Sequence, residues 1–181
     1  MQEAEKIFLD KKLDIPYFSQ YLDVQNEENR PRACGMVCAY MALKHFGGEV
    51  PKLDDLIDQG IKNGGYSKSG WIHDYFVNLF KNFGYDCERR ENMRDREVRL
   101  LAQYIQEGSP VMASVIRRMW DRRSFHIVLL TGVRLSADME VEGFFYHDPA
   151  ALRGENMRHL YVPLQTFYLD WRRMAILPKK S

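Results

Sequence analysis

The apolar positions change rhythm at Gly108: before it they recur at helical spacing, and after it they gather in short runs or alternate. The run Cys34 to Phe46, "CGMVCAYMALKHF", has helical length, few β-branched residues and a Gly47-Gly48 stop. In "GWIHDYFVNLFKNFG", Trp71, Ile72, Tyr75, Phe76, Leu79, Phe80 and Phe83 share one helical face, and Gly84 ends it. A third helix is expected in "DREVRLLAQYIQEG", where Val98, Leu101, Ala102 and Ile105 form a stripe. Upstream of all three, Leu13 to Gln20 reads as extended because Pro16 disfavours helix before it, and a polar loop follows.

Beyond Gly108, "PVMASVI", "FHIVLLTGV" and "GFFYHDP" follow strand grammar, bounded by Gly, Pro or charge clusters. The tail "VPLQTFYLDWRRMAILP" adds a short helix and a last strand. Helices first and strands afterwards argue for an α+β fold, a helical N-terminal half followed by an antiparallel sheet. A single domain over residues 1–181 is expected, with residues 1–12 a candidate flexible arm.

The formal net charge of +1 gives no field that would gather nucleic acid or anionic membrane. The N-terminal stretch has an early Glu pair and no continuous apolar segment, so neither a signal peptide nor a membrane span is expected. Three cysteines cannot all pair, which fits a reducing, cytoplasmic compartment.

Those cysteines pose the chemical question. Cys34 and Cys38 lie one helical turn apart, but zinc needs about four ligands in recognisable spacing, and the histidines are scattered. Cys38 and Cys87 read as buried structural thiols. Cys34 differs because it opens the helix directly after a polar loop. The first amides of a helix lack internal partners and carry the positive end of the dipole, so a thiolate is stabilised there.

A thiolate nucleophile calls for a histidine, and the histidine for an orienting group. His126 opens the most apolar strand, and Asp148 ends the next one beside Pro149. Gln20 closes the first extended segment, where a side-chain amide can serve an oxyanion hole. Alone, a histidine such as His126 is more often a satisfied core residue than a catalyst, and an aspartate before proline such as Asp148 is usually a turn-former. His147 points to the opposite face from its neighbour Asp148, and His45, His73 and His159 are not site candidates.

The segments "IPYFSQ", "ACGMVCAYMAL", "GWIHDYFVNLFKNFGYD", "FHIVLLTGV", "YHDPA" and "TFYLDW" together resemble the papain-like cysteine peptidases of the bacteriocin-processing type, the double-glycine leader peptidases. The resemblance spans nearly the whole chain, in the family's order. It implies a papain-like fold in which the helical half carries the nucleophile and the antiparallel sheet carries histidine and aspartate. It implies Cys34 as nucleophile, His126 as general base and acid, Asp148 as orienter and Gln20 as oxyanion donor, with no cofactor or metal. Met36 stands where relatives often have proline. The interval from Gln20 to Cys34 exceeds the family's usual one, which leaves Gln25 as a substitute donor.

The activity implied is peptide or amide hydrolysis through a thioester, with a peptide or protein as substrate. Two other readings share these residues: a papain-like module that binds peptides without cutting them, and an acyl transferase. The basic stretch "RRMWDRRS" leads straight into His126. It reads first as a solvated loop. If it borders the cleft, Arg118, Trp120 and Arg122 would bind substrate and favour acidic residues near the scissile bond.

Overall fold

The computed structural model describes residues 7–119 and 122–180, with the backbone alone for 117–119 and 122–123. In chain order the first elements are β1 (Phe8–Lys12), α1 (Cys34–Phe46), α2 (Leu53–Lys62), β2 (Tyr66–Ser67), β3 (Gly70–Trp71), α3 (His73–Asn82) and β4 (Asp86–Arg90). They are followed by α4 (Val98–Gln106), β5 (Val111–Met119), β6 (Arg122–Ser136), β7 (Val141–His147), β8 (Leu160–Pro163), α5 (Leu164–Asp170) and β9 (Trp171–Lys179). The fold is α+β, and the strands other than β2 and β3 form one antiparallel sheet ordered β4-β9-β5-β6-β7-β8, with β1 also on β6.

β6 organises this sheet because it is 15 residues long. Its first part pairs with β5 from Arg122 to Leu130, and its second with β1 from Gly132 to Ser136. Its other edge takes β7, from Leu129 opposite His147 to Leu135 opposite Val141.

α1 is apolar on every side, and ten of its 13 residues are buried, as expected of a helix enclosed by other elements. It lies against β6 and is closed by Gly47 in the left-handed region at φ 86, a conformation open to glycine at little cost. Its first residue therefore emerges where helix meets sheet. That residue is Cys34.

Three expectations change. The candidate arm over residues 1–12 is a strand from Phe8 to Lys12, paired with β6 and tied by Arg134 to the Asp10 carboxylate at 2.7 Å, while residues 1–6 lie outside the described residues. The helix expected from Trp71 begins at His73, because Gly70 and Trp71 pair with Tyr66 and Ser67. The basic stretch is hairpin rather than loop: β5 and β6 remain paired out to Met119 opposite Arg122, so His126 lies within its strand rather than at its start. Trp120 and the side chains of Arg118 and Arg122 lie outside the described residues.

Candidate active site

The turn Arg30–Arg32 delivers the chain to Cys34, and two side chains hold that turn. Trp71 donates from Nε1 to the Arg32 carbonyl at 2.6 Å, and Gln20 donates from Nε2 to the Arg30 carbonyl at 2.7 Å. Each such bond contributes on the order of 1 kcal/mol. Glycine at position 35 lets the surrounding rings close in: a Cβ there would lie 2.7 Å from Phe76 Cζ and 3.1 Å from Trp71 Cδ1. The Val37 N–H bonds the Ala33 carbonyl at 2.9 Å, so the amides of Cys34, Gly35 and Met36 precede the helical ladder.

Cys34 is half-buried. Burial alone would raise its thiol pKa. The hydrogen bond and charge of His126, with the backbone N–H groups of Ile127 and Gly35, outweigh burial and bring it below the ordinary value. The other thiols go the opposite way. Burial drives Cys38 well above its ordinary value, with Sγ donating to the Ile127 carbonyl at 3.4 Å, and pushes Cys87 up to about 12. All three cysteines are free.

The pairing of Leu129 with His147 brings the middle of β6 beside the end of β7. There His126 Nε2 lies 2.8 Å from Asp148 Oδ1, with His126 buried. Asp148 is itself held in place. Oδ1 also accepts the Ala150 N–H at 3.0 Å, the Asp148 N–H donates to Met157, and its carbonyl accepts the Tyr17 hydroxyl at 2.7 Å. With Nε2 directed at Asp148, Nδ1 is the nitrogen left for Cys34. Burial would lower the His126 pKa, but the hydrogen bonds to Asp148 and Cys34 prevail and raise it to about 9. Thiol and imidazole are thus pulled toward each other's range, which favours the thiolate–imidazolium pair.

Gln20 is buried between the two halves of the site. Its backbone N–H bonds the Pro149 carbonyl at 2.7 Å, one residue past Asp148, while its side chain reaches the lead-in to Cys34. Oε1 is buried without a partner, an uncommon state for a buried amide. Gln25 is exposed, its backbone held by Asp54 and its amide donating to the Asp23 carbonyl at 3.3 Å. His147 is spent structurally: Nδ1 accepts the His159 N–H at 3.1 Å, Nε2 meets the Ile15 carbonyl at 3.2 Å, and burial lowers its pKa to about 4. Among the described residues no group of three His, Cys, Asp or Glu side chains could hold a metal ion.

Two cavities adjoin His126. One of about 250 Å³ is walled by Val115, Val128, Leu130 and Phe167 and reaches Asp148. The other, about 90 Å³, opens beside Cys34 and brings in Arg32, His73, Phe125 and Arg172. Sequence reasoning passes over Arg32 and Arg172, because only the fold brings together two distant, ordinary-looking basic residues.

A family model matches residues 12–177 and is described as the Peptidase_C39 like family. The chain belongs to that family. Comparison with curated proteins gives no match. Among solved structures, the double glycine motif protease from an AMS/PCAT transporter, in complex with the leader peptide, aligns at TM-score 0.60 and 15% identity, over 94% of this chain and 95% of that one. The peptidase domain of Streptococcus ComA, a bi-functional ABC transporter, aligns at TM-score 0.58 and 17% identity, over 83% and 93%. UfSP from C. elegans aligns at TM-score 0.62 and 14% identity over 99% of this chain but 38% of that one. These likenesses establish the papain-like peptidase fold. Among the described residues of this Peptidase_C39 like protein, no helix is long and apolar enough to cross a membrane.

Proposed function

We propose that the protein is a cysteine peptidase that cleaves an amide bond of a peptide or protein through a thioester on Cys34. The observation that carries this reading is the His126 Nε2 to Asp148 Oδ1 contact of 2.8 Å, coupled to a Cys34 thiol held below its ordinary pKa. The family's name and a solved neighbour bound to a leader peptide support a peptide substrate. Three free thiols are compatible with a reducing compartment, and a cytoplasmic location accompanies the reading.

The Cys34 thiolate attacks the scissile carbonyl carbon, forming a C–S bond and a tetrahedral oxyanion. The Cys34 backbone N–H and the second Nε2 proton of Gln20 receive that oxyanion. The imidazolium of His126 gives its Nδ1 proton to the leaving amine as the C–N bond breaks. Neutral His126 then takes a proton from water, whose oxygen attacks the thioester, and collapse releases the acid and restores the thiolate. Asp148 keeps the ring oriented and its charge compensated throughout.

Gln20→Ala is expected to lower kcat by about 10²–10³ with a smaller change in KM, the signature of a donor used mainly in the transition state. A loss confined to KM would remove Gln20 from this role. Peptide-library cleavage read by mass spectrometry tests the activity itself, and product masses with and without an added amine separate hydrolysis from acyl transfer.

The pH profile follows from the two shifts. The reactive pair needs deprotonated sulfur and protonated imidazole. Activity is therefore expected to fall on the acid side as the thiolate gains its proton, and on the alkaline side through about 9 as His126 loses its own. A kcat/KM profile still climbing through that point would contradict the ion-pair form.

A further inference from the structure

The cavity of about 90 Å³ beside Cys34 holds two cations that no acid among the described residues satisfies. Arg30 pairs with Glu27 and Arg173 with Asp95, yet Arg32 and Arg172, close to each in sequence, bond only neutral oxygens among the described residues. Arg32 donates from Nε and Nη2 to Asn29 Oδ1 at 3.2 and 2.7 Å. Arg172 donates from Nη1 to the buried Ser114 hydroxyl at 3.0 Å, with its guanidinium carbon 3.5 Å over the Phe125 ring. Both arginines are half-buried, and burial lowers the Arg172 pKa. A guanidinium withdrawn from water without a counter-ion gains more from an arriving anion than a solvated one does.

A third group has the same deficiency. His73 lines this cavity and is only 9% exposed, and its Nδ1 is buried with no hydrogen-bond partner. Burial lowers its pKa and the Arg172 charge adds to the effect, so the ring is neutral near pH 7 and offers one donor and one acceptor. Phe125, 60% exposed beside His126, holds the Arg172 guanidinium as a flat, two-pronged donor at the cavity mouth.

We propose that this cavity is a carboxylate-binding subsite, in which Arg32, Arg172 and His73 Nδ1 receive an acidic group next to the scissile amide. The proposal rests on the peptidase reading and names the substrate class for it: peptides carrying a carboxylate at the cleavage point, supplied by an acidic side chain or by the free α-carboxylate of the chain end. The space has room for several waters and hence for a carboxylate that displaces them. It uses none of the side chains of the Arg117–Arg123 stretch.

The test uses matched peptides. One series places Glu or Gln at each position flanking the bond, and another ends in a free acid or an amide. Wild-type protein is expected to prefer the carboxylate form by about tenfold or more in kcat/KM. Arg172→Gln should bring that ratio toward one, and Arg172→Lys should keep part of it, retaining charge but losing the planar fork. If Arg172→Gln does not fold, Arg32→Gln carries the same expectation. The series that shows the preference identifies the source of the carboxylate. Binding of the same peptides to Cys34→Ala protein reports the ratio without turnover. Carboxylate-selective binding with no hydrolysis by wild-type protein would uphold the subsite and overturn the peptidase reading. Equal binding and cleavage of both forms, no binding of either, or a preference unmoved by both arginine variants would overturn the subsite.

Discussion

Cys34→Ala is expected to lower peptide hydrolysis on the order of 10⁶-fold while the protein stays folded. The sulfur is the only protein atom in the proposed mechanism that bonds to the substrate carbonyl, so no side chain remains as a partial substitute. The fold should tolerate the change. The thiol is half-buried at the first position of α1, and the contacts that hold the lead-in come from Trp71 and Gln20 rather than from the sulfur. The variant should also return His126 toward its ordinary titration, since the Cys34 hydrogen bond is one of the interactions raising it. Single-turnover assays on a peptide the wild-type protein cleaves, with a thermal melt as control, give the answer. Turnover near the wild-type rate from a folded variant would show that another residue does the chemistry.

Asp148→Ala should cost about 10⁴-fold in kcat, and Asp148→Asn less. The reason lies in what Oδ1 touches. It faces His126 Nε2 at 2.8 Å and also accepts the Ala150 N–H at 3.0 Å. That amide requires an acceptor, so an asparagine would keep its carbonyl oxygen in the same place and leave Nε2–H as the donor. Ring orientation and tautomer would survive, while the negative charge supporting the imidazolium would not. The asparagine variant should therefore show its alkaline limb below about 9, whereas alanine loses orientation as well. Equal kinetics for wild type, Asn and Ala would take Asp148 out of the site.

How far the sequence carries depends on where each signal resides. The bounds expected for α1 match the structure because its start follows a polar loop and its end is a glycine whose φ of 86 disfavours other residues. The strands around His126 and Asp148 are legible from their apolar runs, and neighbouring strands in antiparallel order brought the two residues together. β4 was not legible. "DCERR" has no alternation to read, only Cys87 of it is buried, and it is a strand because β9 supplies backbone partners from Lys179 to Ala175. α2 is a different case: Leu53, Leu56, Ile57 and Gly60 form a readable stripe, and the helix is simply not among the elements expected above. The Arg32–His73–Arg172 cluster joins a turn, a helix start and the last strand, so no local pattern announces it.

The shortest route to the central claim is the reactivity of the three thiols in the folded protein. Timed iodoacetamide labelling near pH ~6, where an ordinary thiol of pKa ~8.5 is almost wholly protonated, distinguishes a thiolate poised by His126 from a buried structural thiol. Peptide mass spectrometry should find Cys34 alkylated quickly, with Cys38 and Cys87 slow because burial raises both. His126→Ala should slow Cys34 by removing the imidazolium beside it. Equally slow labelling of all three cysteines would contradict the nucleophile assignment and leave a peptide-binding module as the better description.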